Sequence, residues 1–443
     1  MKKKILFIEN KTGVFYWDKI SKYLLKNYEI HWIIQNHIYL PKEGIHHKIK
    51  YPKKDDLRPI KNNDDFKKIY SADRGHLHYG QSTNHYHYYY KEIKKIITKT
   101  KPSLIIGEAT LFHELITIKI AKELKIRYIF PTGTRHPSDR TEFNRYDKQS
   151  WIMNQNKDET VDDIKIAKLI NLISEGKHKP FYMKQISLLF NLKFLVFKFL
   201  ALMGYFFGDK YNTHSPLLYI KSFIQKKFIY YLWKFYSIRN KKILHNLFKK
   251  KTLLYPMQMQ PESNINVWGY PYADQIKIIK ELSFRLKKIG FFLAVKPNPK
   301  LKYEINYKTF FEIKKLSNVI LIHPKTEMNY LLKKCNAVFS ITGTVILECV
   351  ILNKNIYTLI NSDYTNHRGI IIIKSLKYLV SKLKNLKNKK VKKDNTNAML
   401  MFKKIIKYSF PYPFNLWHNQ PSNENPDPLI AKSIIQIEKN EKF

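Results

Sequence analysis

The sequence reads as two α/β domains built on parallel sheets, with a helical insertion, for three reasons. Short apolar runs of strand length recur along the chain and stop at polar, Pro or Gly residues. Helical spacing fills the gaps between the runs. Between about residues 160 and 247 the alternation lapses and only helical patterns remain. Strands alternating with helices make parallel sheets, because a parallel connection needs a crossover and a helix supplies it. The 443 residues exceed one ordinary core and suit two. The expected division is 1–250 for a first domain that carries the insertion, 251–395 for a second, and 396–443 for a segment crossing back to the first.

The first runs are Ile5 to Glu9 and Ile30 to Gln35, with helical spacing from Tyr16 to Leu25 between them. Lys11-Thr12-Gly13 lacks the three spaced glycines of a dinucleotide fingerprint, which argues against bound NAD or FAD. Residues 40 to 90 are polar and irregular and carry His76, His78, His85 and His87 among tyrosines. Such pairs can ligate zinc or copper, but no cysteine or acidic cluster accompanies them. No metal is expected; a strand or loop that sets imidazole and aromatic faces against a sugar acceptor is the better reading.

Ser103 to Glu108 is the next strong strand, followed by a helix from about Leu111 to Leu124 and a neighbouring parallel strand from Arg127 to Pro131. Glu108 and the Thr132 to Arg135 segment therefore leave the sheet on one rim, where α/β proteins bind ligands. A carboxylate there can act as a general base or nucleophile, so Glu108 is the first catalytic candidate and Asp139 the second. The structural alternative for Glu108 is to cap or ion-pair the helix it introduces. Of His113 and Glu114 on that helix, one is expected at the site and the other in the scaffold. Ser138-Asp139-Arg140 with Arg145 forms a charged loop suited to an anionic substrate or to surface pairing. His113, Arg135, His136 and Arg140 make up the expected acceptor-binding set.

From Phe181 to Phe207 the chain is apolar and aromatic, interrupted by Lys184, Lys193 and Lys198. A spanning helix needs about 20 mostly apolar residues, and mid-span lysines are costly. A helix lying in the membrane interface fits better, with internal docking as the alternative. Lys221, Lys226, Lys227 and Lys234, set among Phe228, Tyr230, Tyr231 and Trp233, extend the basic and aromatic face.

The second domain's runs are Leu253 to Pro256, Phe291 to Lys296, Val319 to Ile322, Ala337 to Ile341 and Ile356 to Ile360. Polar residues punctuate their ends: Gln258, Gln260, Lys296, Asn298, Thr342 and Thr344. Gly343 permits close backbone approach, the following helix offers free N–H groups, and Lys296 offers a compact positive charge; together they suit a phosphate. Glu348, one turn into that helix, can accept from ribose hydroxyls or pair with a lysine. Beyond them, Lys374 to Lys393 reads as a basic helix and the proline-bearing tail (Pro411, Pro413, Pro421, Pro426 and Pro428) as an irregular connector. No Gly-x-x-x-x-Gly-Lys-Ser/Thr loop is present, which disfavours an ATPase of that type, and no suitably placed Asp-x-Asp suggests a metal-clamped donor.

The order Gln258-x-Gln260-Pro261-Glu262, Lys296-Pro297-Asn298-Pro299, then Thr342-Gly343-Thr344 with Glu348 resembles the capsular-polysaccharide-synthesis group of GT-B glycosyltransferases, which includes Kdo transferases. The likeness covers mainly residues 250 to 365 and more loosely Glu108 to Arg140. It implies two Rossmann-like domains facing across a cleft, the acceptor on the first and the nucleotide sugar on the second, with no obligatory metal or other cofactor. Gln258, Gln260, Glu262, Lys296, Asn298, Thr342, Gly343, Thr344 and Glu348 become the donor-binding set, with a CMP-linked sugar among the candidates. The family's Lys-x-His-Pro motif has Asn298 in place of its histidine here.

The 80 Lys and Arg against 35 Asp and Glu give a net charge of +45, while 44% hydrophobic content marks a folded chain. A lysine-rich composition is one reading of that charge and attraction to an anionic partner, such as nucleic acid, a phospholipid surface or a phosphorylated substrate, is the other; the charge alone does not decide between them. A nucleic-acid binder would show an RNP, KH or zinc-finger pattern, and none occurs. Cys335 and Cys349 read as buried thiols of a reducing cytoplasm, and the Met1 to Glu9 segment as a first strand with no signal-peptide core. The expectation is a cytoplasmic enzyme peripheral to the inner membrane. It would transfer sugar to a glycolipid or polysaccharide acceptor in capsule or lipopolysaccharide synthesis, with a nucleotide-sugar epimerase of the same architecture as the alternative.

Overall fold

The computed structural model describes residues 2–59, 64–152, 162–178, 188–300, 304–386, 394–414 and 427–440. The chain folds as two compact units, residues 1–159, 179–219 and 405–443 forming the first and 160–178 with 220–404 the second.

The first unit's strands are β1 (Lys3–Ile8), β2 (Tyr28–Ile34), β3 (Ile45–Lys48), β4 (Leu104–Ile106), β5 (Arg127–Gly133) and β6 (Thr141–Arg145). They lie in the order β3-β2-β1-β4-β5-β6, parallel except for β5 with β6. Ile5, Leu6, Phe7 and Ile8 of β1 are all buried, as a central parallel strand covered on both faces requires. The helix Val14–Leu24 lays Val14, Trp17, Ile20 and Leu24 on the sheet at helical spacing, and Phe7 stacks on Trp32 with ring centroids 4.8 Å apart. The C-terminal helix Asp427–Lys439 joins this core through Ile430, Ile434 and Ile437. Its Glu438 accepts from Lys3 Nζ at 3.0 Å, Tyr28 Oη at 3.0 Å and Arg127 Nη2 at 3.2 Å. The tail thus crosses back as expected; its prolines at 421 and 426 fall outside the described residues.

The second unit's strands are β7 (Thr252–Pro256), β8 (Phe292–Lys296), β9 (Val319–Leu321), β10 (Ala337–Phe339), β11 (Ile356–Thr358) and β12 (Ile370–Ile372), ordered β12-β11-β10-β7-β8-β9 and parallel throughout. Counted from each unit's first strand, both sheets run 3-2-1-4-5-6, the doubly wound order of Rossmann-type domains. That order sets a switch point in each sheet, between β1 and β4 and between β7 and β10. The direction in which successive strands are added reverses there, so connections leave on opposite faces and a crevice opens beyond the strand ends.

The helical insertion is divided, in contrast to the expected boundary at residue 250. The helix Pro216–Tyr236 buries Ile229 and Trp233 in the second core, and Trp233 Nε1 donates to the Ile322 carbonyl at 2.9 Å. Asn329 Nδ2 donates to the carbonyls of Ile173 and Ser174, tying the helix Asp163–Ser174 to the same unit. Residues 40 to 90 are more ordered than expected: they contain β3, the helix Arg74–Tyr79 bearing His76 and His78, and His85 capping the helix Tyr86–Thr100, which carries His87. The Lys374 to Lys393 stretch forms the helix Leu376–Lys384, which buries Leu376, Leu379 and Leu383; residues 387–393 fall outside the described residues. So do 181–187 of the apolar stretch, which continues as the helix Leu188–Phe206. No helix among the described residues is long and apolar enough to cross a membrane.

Candidate active site

In the second unit Gln258 follows β7, Lys296 ends β8 and Thr342-Gly343-Thr344 follow β10, so these residues sit on three adjacent strand ends. The Met257 amide donates to the Lys296 carbonyl at 2.8 Å, which aligns the first two. Gln258 Nε2 donates to Thr342 Oγ1 at 2.6 Å while the Thr342 amide donates to Gln258 Oε1 at 3.2 Å, bridging the switch point. Gln275 then donates to the Gln258 carbonyl and to Gln260 Oε1, and Gln260 Nε2 donates to Asn266 Oδ1 and the Ala273 carbonyl. Both glutamine amides are therefore engaged within the protein. They shape the loop after β7 and offer a ligand no free amide group, unlike the direct contact expected of them.

The unengaged donors are elsewhere. The Thr342 hydroxyl donates to the Asn264 carbonyl, and the Gly343 amide donates to Ser340 Oγ. The Thr344 and Val345 amides have no acceptor among the described residues. A Cβ on Gly343 would lie 3.0 Å from Ser340 Oγ, so glycine keeps this turn close to the strand end. Lys296 is 4% exposed, and Nζ donates to the Pro324 carbonyl at 3.0 Å. Burial pulls its pKa down to about 8, with the charge of Glu348 opposing the shift. Burial pushes half-buried Glu348 up to about 7, with Lys296 opposing. The two sense each other's charge but form no ion pair among the described residues, so the ammonium's charge is left to be matched by an anionic ligand. Asn298 is half-buried and accepts from the Lys300 amide at 2.9 Å, and the Glu262 carbonyl starts the short helix Ser263–Asn266.

The first unit's switch point is more heavily built than expected. Glu108 leaves β4, 7% exposed, and accepts from Asn10 Nδ2 at 3.1 Å and Thr110 Oγ1 at 3.4 Å. Burial raises its pKa to about 8, and the Glu114 carboxylate adds to the rise. Glu114, and not Glu108, braces the helix: it accepts from the amides of Glu108, Thr110 and Leu111 at 3.1, 3.0 and 2.8 Å. His113 is buried, with Nε2 against the Glu9 carbonyl, and burial lowers it to about 4. Both helix residues are thus scaffold, where one was expected at the site.

The other expected residues of this unit lie on the turn between β5 and β6. Asp139 lies exposed in the turn between β5 and β6. Arg140 is buried and clamps the chain near residue 409, donating to Ser409 Oγ and its carbonyl at 2.8 Å each. It therefore serves the fold and not the acceptor. Arg135 and His136 are also buried beside this loop.

Four residues at this rim were not anticipated. Glu9, fully buried, accepts from the Lys11 amide, the Asn36 amide at 3.1 Å and Asn212 Nδ2 at 2.9 Å, and burial holds it near 7. Asn10 joins β1's end to Glu108, and a Cβ on Gly13 would fall 2.4 Å from Asn10 Oδ1. Lys11 and Arg74 complete the set. The signal for Glu9 to Lys11 was present, since they end the run that proves central, but their value depends on strand order.

Residues 201–410 match the family model described as capsule polysaccharide biosynthesis protein. That segment, a little under half of the chain, is similar to the capsule polysaccharide biosynthesis family. The segment holds every donor-site residue described above. No curated protein matches the chain. Among solved structures, a β-Kdo 2,7 transferase, KpsC of Thermosulfurimonas dismutans, is similar over 86% of this chain and 89% of its own, at 9% identity and a TM-score of 0.33. The UDP-GlcNAc 2-epimerase of Methanocaldococcus jannaschii is similar over 92% and 99%, at 12% identity and a TM-score of 0.29. At these scores neither likeness bears on the reaction.

Proposed function

We propose that the chain is a glycosyltransferase of bacterial capsule synthesis, moving a sugar from a nucleotide-sugar donor to a glycolipid or polysaccharide acceptor with no required metal. One observation carries this reading: inside the family-matched segment, Lys296, whose ammonium meets only carbonyls among the described residues, and the Thr344 and Val345 amides, which have no acceptor among them, stand on the two strand ends that flank β7. That set stabilises a nucleotide phosphate as it leaves, the charge that transferases must offset. On the first unit Glu108 is the base or nucleophile. A thermal-shift panel of CMP-, UDP-, GDP- and dTDP-sugars tests the proposal. One base class is expected to stabilise the chain by about 2–4 °C, the shift a ligand in large excess over its Kd gives a protein of this size. No shift from any of the four would remove the donor site.

The reading places the enzyme at an anionic membrane surface. On the helix Pro216–Tyr236, Leu217, Ile220, Ile224, Phe228, Tyr231 and Phe235 recur at helical spacing and are all exposed, opposite the buried Ile229 and Trp233. Lys221, Lys227 and Lys234 lie beside them, while half-buried Lys226 falls on the side of Ile229 and Trp233. An apolar stripe flanked by lysines suits the interface of a bilayer, each lysine adding about 1 kcal/mol near an anionic leaflet. A soluble-substrate epimerase has no use for such a stripe. The double substitution Ile224→Glu with Phe228→Glu is expected to cut binding to phosphatidylglycerol-containing vesicles by about tenfold or more. Co-sedimentation equal to the parent's would place the stripe elsewhere than in lipid.

A further inference from the structure

The first unit's switch point carries two cations that the scaffold does not use. The Lys11 amide donates to Glu9, but the Lys11 ammonium, on a residue held at φ +62°, and the guanidinium of half-buried Arg74 make no hydrogen bond or ion pair among the described residues. They belong to one cluster. Lys11 follows Glu9 and Asn10, which are bonded to Asn212 and Glu108; Arg74 opens the helix whose Tyr79 stacks on His214 with centroids 4.0 Å apart, two residues beyond Asn212. Burial, followed by repulsion from Arg74, pulls the Lys11 ammonium down to about 8 against the opposing charges of Glu9, Asp73 and Glu114, and burial, followed by both cations, holds His214 well below its usual range. The same cluster leaves buried polar atoms without partners: Asn10 Oδ1, Asn212 Oδ1 and both ring nitrogens of His214. Desolvated cations at close quarters repel, and buried amide oxygens left unbonded are costly, so the arrangement is incomplete until something anionic and hydroxylated enters it.

We infer that Lys11 and Arg74 form a subsite for the acid group of an acidic sugar, carboxylate or phosphate, with Asn10 and Asn212 accepting from its hydroxyls beside Glu108. Under the transferase reading the occupant is the acceptor's terminal residue, with its nucleophilic hydroxyl delivered to Glu108. The subsite itself rests on the first unit alone, so it is tested without the donor.

Calorimetric titration of the full chain with glucuronate, glucose 1-phosphate and glucose tests the assignment. At least one acid is expected to bind ten times more tightly than glucose, and Arg74→Gln and Lys11→Gln each to remove about tenfold of that preference. Glucuronate alone identifies a sugar acid, and glucose 1-phosphate alone a phosphorylated sugar. Either result supports the subsite. Acids that bind no better than glucose, or variants that bind them like the parent, overturn it. Melting curves of both variants confirm that they fold. A nucleotide-sugar shift that persists while acid binding fails sinks this subsite only; acid binding with no nucleotide shift sinks the transferase reading only.

Discussion

Replacing Glu108 with glutamine is expected to lower turnover by about 10²–10⁴-fold, the usual range for a general base, while leaving nucleotide-sugar affinity within about twofold. The amide keeps the shape of the side chain: its oxygen can still accept from Asn10 Nδ2, and its Nε2 can donate to the Thr110 hydroxyl in place of the bond that Glu108 accepts there, so the loss isolates proton transfer or nucleophilic attack. Burial and the neighbouring Glu114 hold the Glu108 carboxyl up to about 8. A base must be unprotonated, so the parent's kcat/KM should rise with pH and level off above 8. A rate that falls between pH 6 and 8 would make Glu108 an acid, and an undiminished rate in the variant would remove it from the chemistry. Stability moves the other way. The unfolded chain releases this proton near 4.5 and the native chain keeps it to about 8, so the native state binds more protons inside that window and loses stability as pH rises through it. Glutamine does not titrate. The variant should therefore melt at or above the parent's temperature, by a margin that widens from pH 5 to 8.

The architecture was legible where strands are apolar on both faces and opaque where they are not. Ile5 to Ile8 and Leu293 to Val295 read as strands because burial on both sides leaves no room for polar residues. β3 went unseen because Ile-His-His-Lys is an edge strand, with Ile45 the lone aliphatic and itself exposed. β12 is a three-residue edge strand with no such alternation to announce it. The insertion's split between units was hidden for another reason: Trp233 looks like one more member of an aromatic run until the β9 end at Ile322 receives its indole N–H.

At the site, polarity at strand ends located the right rim but could not assign roles. Gln258 and Gln260 occupy the expected positions, but partners 17 and 15 residues away at Gln275, and 84 away at Thr342, decide that their amides hold the loop. Lys296 had no such partner in the sequence and has only carbonyls in the structure. Arg74 was invisible for the opposite reason: its helix lies in a stretch whose composition reads as loop, and only the Tyr79–His214 stack brings it to the β1 end.

Lys296→Met is expected to separate binding from stability. Loss of a charge-assisted contact to the donor phosphate should weaken nucleotide-sugar affinity by about 10–100-fold, the equivalent of roughly 1.5–3 kcal/mol. The same change removes a buried ammonium that no carboxylate contacts directly, and methionine fills similar space, so the fold should gain on the order of 1–3 kcal/mol at pH 7. Burial brings the lysine from its ordinary 10.5 down to about 8. Between those values the unfolded chain holds the proton and the native chain does not, so the parent gains stability as pH rises through the window. The stability gap between variant and parent should thus be widest below pH 8 and narrow towards 10.5, while the parent's own donor affinity falls above 8 as the ammonium is lost. Denaturant melts and nucleotide titrations at pH 7 and 9.5 read both effects. A variant that is less stable yet binds donor normally would show that the bond to the Pro324 carbonyl is the reason for this lysine, leaving the Thr344 and Val345 amides to hold the phosphate without it.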